Sequence, residues 1–153
     1  MIVVGDISAL TALARIERLE LLRHLQRQVV VPEGVRDEFV RAHLRLPWYI
    51  KVQQPTNSEH VALLHRWLDL QEAEAIALYK ELNADVLLMD EHLGRRLAHR
   101  EGVHVLGLLG LLLLAKRAGH ISSVREVVTQ VRRACGFRVT SAAEDLIFRH
   151  AGE

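Results

Sequence analysis

The chain has 153 residues, 50% of them hydrophobic and 25% charged, with 20 Lys+Arg against 19 Asp+Glu and a net charge of +1. That balance excludes wholesale disorder, a collagen-like repeat and a disulfide scaffold, and it gives no hint of a polyanionic or polycationic partner. The single Cys135 has no partner for an intramolecular disulfide or a thiolate zinc site, so a reducing compartment is expected. Met1 to Gly5 runs into Asp6 without a basic start or cleavage site, so no signal peptide is expected. The most apolar stretch, residues 103–115, is interrupted by His104 and is shorter than the roughly 20 residues a bilayer crossing needs. A cytoplasmic protein with no membrane association is the expectation.

Taken in chain order, residues 2–5 open as an unbroken apolar strand, and Ser8 is placed to cap a helix through Ile16. A short helical piece follows over 19–25, then a second strand over 29–31. Pro32-Glu33-Gly34 starts a helix carrying Val35, Phe39 and Ala42 at helical spacing. Residues 48–52 read as a weak edge element bracketed by Pro47 and Pro55. Helices are predicted over 58–68 and 72–82, a strand over 86–89, a helix over 91–100, a strand over 103–106 and a helix over 108–118 ended by Gly119. Two more helices, 123–134 and 141–150, complete the chain. Four strands that are apolar throughout suit a parallel sheet covered on both faces. Alternation with helices predicts one α/β domain spanning 1–153, a three-layer sandwich with its core over about 1–119 and a helical tail over about 120–153.

An open parallel sheet binds its ligand at the carboxyl ends of its strands. Asp6 directly follows the first strand and Asp90 the third. Glu38 lies early in the helix after the second strand, and Glu72 opens the helix leading into the third, so four acids converge on one edge. Asp85 falls at the opposite edge and is set aside. Helical phase puts Glu38 beside the Val35–Phe39–Ala42 stripe and turns Asp37 away. Phase does not separate Glu72 from Glu74, because their helix is apolar nearly all round. Glu72 is preferred as nearer the helix start, with Glu74 the alternative. Acids at helix starts also serve the macrodipole, so each alone is weak. An acid such as Asp6, set between an apolar strand and an apolar helix, is costly unless paired or metal-bound. Clustered carboxylates repel unless cations neutralise them, and hard oxygen donors favour Mg²⁺ or Mn²⁺, the ions of metal-assisted phosphodiester hydrolysis.

The ordered set of segments resembles the PIN-domain ribonucleases, in particular small prokaryotic PIN-like proteins related to toxins, over Val3 to about Gly119. It is carried by Val4-Gly5-Asp6-Ile7-Ser8, Val31-Pro32 through Glu38-Phe39, Glu72-Ala73-Glu74-Ala75-Ile76-Ala77-Leu78, Leu87-Leu88-Met89-Asp90-Glu91 with Gly94-Arg95, and Gly107-Leu108-Leu109-Gly110 through Ala115-Lys116. The resemblance implies Asp6, Glu38, Glu72 and Asp90 as metal ligands and catalytic acids, with Ser8 as a helper. It also implies Mg²⁺ or Mn²⁺ dependence, an RNA substrate, a cognate antitoxin and homodimerisation, to which the surplus of leucine over 108–114 adds a physical basis. Gln71 stands where this subfamily has glycine, and Met89 where many toxins have threonine or serine.

Arg95, Arg96 and Arg100 are equally placed to hold RNA phosphates or to form a solvated helix face. The nine histidines show no metal-ligand spacing, and no glycine-rich phosphate loop occurs. The favoured function is a metal-dependent ribonuclease, the toxin of a toxin–antitoxin pair. The alternatives are a non-catalytic PIN-like module binding RNA or an antitoxin, and a receiver-like signalling domain.

Overall fold

A computed structural model describes residues 1–24, 28–43 and 45–153. Its elements alternate along the chain. β1 (Ile2–Gly5), α1 (Ile7–Arg15), α2 (Leu21–His24), β2 (Gln28–Val31), α3 (Glu33–His43) and β3 (Ile50–Val52) form the first half. α4 (Ser58–His65), α5 (Leu70–Leu82), β4 (Val86–Leu88), α6 (His92–Arg100), β5 (Val105–Leu106), α7 (Leu108–Arg117), α8 (Val124–Cys135) and α9 (Ser141–Ala151) follow. The predicted helix over 19–25 starts later, at Leu21, and its Leu25 lies outside the described residues.

The five strands form one wholly parallel sheet in the order β3-β2-β1-β4-β5. Consecutive strand residues point to opposite faces, which explains why the buried strand positions are apolar on both faces. Val3, Val29, Val31 and Leu88 enter the core beneath α1, α3, α7, α8 and α9, whereas Val4, Val30 and Leu87 enter the core beneath α4, α5 and α6. The result is the expected three-layer α/β sandwich. Val124, Val127, Val128, Val131 and Phe148 of the tail belong to the first of these cores. Leu108, Leu111 and Leu112 are fully buried there, whereas Leu109, Leu113 and Leu114 are half-buried. No helix among the described residues is long and apolar enough to cross a membrane.

Several boundaries differ from the sequence reading, among them the helix read over 58–68, which ends at His65. The weak edge element is a strand, with Ile50 paired to Val29 and only Ile50 buried. The strand read over 103–106 keeps only Val105 and Leu106, because Val103 donates its N–H to Ala98 O (2.9 Å) in closing α6 through the left-handed Gly102. The helix read from residue 72 starts at Leu70, because Asp69 and Glu72 form a capping box. Glu72 N donates to Asp69 Oδ1 (2.8 Å) and Asp69 N donates to Glu72 Oε2 (3.2 Å).

Strand order reverses direction at β1 and β4, which sit side by side at the centre. That junction is where an open α/β sheet leaves a crevice beyond its carboxyl ends. The order also differs from the 2-1-3-4-5 arrangement of receiver-like folds, which removes the signalling alternative.

Candidate metal and nucleic-acid site

Asp6 leaves the sheet at the end of β1 and occupies the N-cap position of α1, yet its side chain makes no capping hydrogen bond. It is 3% exposed. Burial lifts its carboxyl to about 7 from the ordinary 3.8, against the pull of the Ile7 amide, and the charges of Glu72, Asp69 and Glu38 push the same way as burial. Those three acids therefore surround Asp6 electrostatically. Asp69 is the member that the sequence reading missed, although its spacing to Glu72 is a capping-box signature visible in the sequence.

Asp90 follows β4 on the adjacent strand and is half-buried. Burial raises its carboxyl, while the Leu108 N–H, donating to Oδ1 at 2.9 Å, and the Arg95 charge work in the opposite direction. Its close surroundings depend on Gly107. A Cβ at position 107 would sit 2.5 Å from Arg95 Nη1 and 2.9 Å from Asp90 Oδ1. Gly107→Ala is therefore expected to cost about 1–3 kcal/mol by overpacking, read in urea unfolding. A variant as stable as the parent would show that Asp90 and Arg95 move aside freely.

Glu72 is buried, and its carboxyl is raised by that burial and by the Asp69 and Glu91 charges, against the Asp69 amide. Oε2 is engaged in the capping box, while Oε1 faces α6 at Gly94, where a Cβ would lie 3.3 Å away. Glu74 is also buried, but Oε1 accepts from Gln54 Nε2 (2.7 Å), and Gln54 in turn accepts from Glu33 N at the start of α3 (3.0 Å). Partners thus distinguish two glutamates that helical phase could not. Glu38 is half-buried, whereas Asp37 is exposed and paired with Arg36 at 2.9 Å. Ser8 is exposed in the first turn of α1. Asp85 accepts from Ile2 N (2.7 Å) at the far edge of the sheet. Met89, which precedes Asp90, is fully buried in the layer beneath α5 and α6.

Among the described residues, neither Asp6 Oδ1 nor Asp90 Oδ2 has a hydrogen-bond partner, though both atoms are buried. A buried carboxylate oxygen without a partner is costly and calls for a proton, an ordered water or a cation. The described residues contain no set of three Asp, Glu, His or Cys side chains already gathered to hold an ion. Mg²⁺ commonly takes only one or two carboxylates and fills its other positions with water and substrate phosphate. Two hard, orphaned oxygens on neighbouring strands fit that mode of binding.

A family model described as a PIN domain matches residues 2–153. The chain belongs to the PIN-domain family, a superfamily that is generally nuclease-related and generally uses divalent metals. No curated protein and no solved structure matches the chain.

Proposed function

We propose that residues 1–153 act as one domain and that the protein is a Mg²⁺- or Mn²⁺-dependent endoribonuclease, the toxin of a toxin–antitoxin pair. Asp6, Glu38, Glu72 and Asp90 are the residues that would hold metal and serve catalysis. The observation that carries the reading is the pair of buried, unpartnered oxygens of Asp6 and Asp90 at the carboxyl ends of β1 and β4. A divalent ion held by these acids would neutralise charge at the scissile phosphate and make an attacking water more acidic. The chain's own contribution is to hold the acids fixed: Gly107 and the Leu108 amide position Asp90, and the capping box positions Glu72. Homodimerisation and an antitoxin partner belong to the same proposal, supported by family membership and by Leu63, Trp67 and Leu70, which stay exposed around the α4–α5 turn.

The test is cleavage of single-stranded RNA by purified protein with Mg²⁺ or Mn²⁺, with and without chelator. Asp90→Asn is expected to lower the rate by about 10²–10³-fold, the usual cost of removing one electrostatic group from a hydrolytic site. A variant that cuts as fast as the parent sinks the assignment. The engagement of Glu72 in a capping box favours a second reading, a module that binds RNA or an antitoxin without cutting. RNA binding by a parent that never cleaves would select it.

A further inference from the structure

Beside Asp90 lies a groove of ≈ 380 Å³ that the acid cluster does not account for. Asp90 and Arg95 stand in its wall, and Arg138 is a second guanidinium along it. Leu106 and Leu109 supply apolar lining from β5 and α7, Phe137 from the α8–α9 connection and Leu146 from α9. Its volume is in the range of small-ligand sites and too small for a partner helix. Leu146 is 53% exposed even though it lines this groove, so apolar surface is left open next to charged groups. Among the described residues, neither Arg95 nor Arg138 lies within ion-pair distance of a carboxylate.

We propose that this groove is a nucleotide subsite for single-stranded RNA, taking the nucleotide next to the scissile phosphate. One base would rest against Phe137 and the leucines, and the phosphate beside it would bind Arg138 and Arg95. The chemistry matches part by part. Aromatic and aliphatic surface stacks a base whatever its sequence, and guanidinium forks bind phosphate oxygens. Asp90 lines the groove and follows β4, the strand paired with the one that Asp6 ends, so a strand lying in the groove leads along the carboxyl edge of the sheet towards Asp6. The inference rests on the ribonuclease reading for its substrate, but RNA binding here does not require cleavage.

The experiment uses full-length protein and a fluorescein-labelled RNA octamer of mixed sequence, with anisotropy read in chelator and again in Mg²⁺. Arg138→Ala is expected to weaken binding about tenfold and to reduce the slope of log K against log salt by about 0.7, the value for one phosphate contact on a single strand. Phe137→Leu keeps the apolar packing and removes the aromatic face, and is expected to cost about tenfold without changing the salt slope. Arg117→Ala, further along α7 and exposed, should bind as the parent does. Circular dichroism on each variant separates misfolding from lost contact. If the parent never cuts but its binding follows this pattern, the subsite stands and the nuclease reading falls. The subsite is overturned if Arg138→Ala and Phe137→Leu bind RNA like the parent in both conditions, or if the parent binds none in either.

Discussion

Replacing Asp6 by asparagine is expected to stabilise the metal-free protein by about 2 kcal/mol at pH 8 while abolishing metal-dependent cleavage. The Asp6 carboxyl sits near 7 in the folded chain against 3.8 when unperturbed, chiefly through burial. The folded state therefore holds this proton more tightly than the unfolded chain does. Stability falls as pH rises from about 4 to about 7, by roughly 4 kcal/mol at 1.36 kcal/mol per pH unit. Below about pH 4 the penalty is absent, because both states are protonated. Asparagine never ionises, but it buries an amide whose unmet hydrogen bonds cost about 1–3 kcal/mol. The net gain at pH 8 is what remains, and it should shrink to nothing or reverse near pH 4. Urea unfolding at a series of pH values in chelator measures it, and a parent with flat stability from pH 4 to 8 would contradict the mechanism. Added Mg²⁺ should then stabilise the parent by mass action and leave Asp6→Asn largely unmoved.

The same residue shows why part of this molecule is legible in its sequence. β1, β2 and β4 stand out because helices cover both faces of the sheet, so every strand position but the exposed Gln28 at the start of β2 is apolar, and an acid soon after such a run marks the carboxyl edge. β3 carries a weaker signal, since as an edge strand it buries only Ile50 and leaves Lys51 and Val52 exposed. Glu72 and Glu74 are inseparable by periodicity because α5 is buried from Glu72 through Tyr79. What distinguishes them is Gln54, a loop residue that approaches Glu74 only in the folded chain. Gln71, in place of the subfamily's glycine, is accommodated from the other side. Gly34 of α3 leaves the space, and a Cβ there would lie 3.3 Å from Gln71 Cγ. The groove beside Asp90 is likewise invisible in one dimension, because it needs Phe137 and Leu146 brought back against β5 and α7.

Glu153→Ala is expected to cost about 2–3 kcal/mol at pH 7, by loosening the segment that frames that groove. The Glu153 carboxylate is 13% exposed and accepts from Lys116 Nζ (2.6 Å), Ser123 Oγ (2.8 Å), Val124 N (2.7 Å) and Arg125 N (3.0 Å). It therefore ties the end of α7 to the start of α8 from a position just past α9. Burial alone would push this carboxyl up, but the Lys116 ammonium, the Arg125 and Val124 amides and the Ser123 hydroxyl outweigh it and hold the group at about 2. Charge-assisted hydrogen bonds are worth about 1.5–3 kcal/mol singly and do not add when they share one acceptor. With the folded value depressed below the ordinary 4.5, the stabilisation is complete above that pH and is lost as pH falls towards about 2. The gap between parent and Glu153→Ala in urea unfolding should thus be widest at neutral pH and nearly closed at pH 2. Glu153→Gln, which keeps an acceptor but not the charge, should fall between them. Fraying of α9 would also release Leu146 from the groove wall, so amide exchange in 141–151 should quicken in Glu153→Ala before the sheet is affected. Unchanged exchange there, together with parental stability at pH 7, would show that α9 is held by its packing on α7 and α8 without help from Glu153.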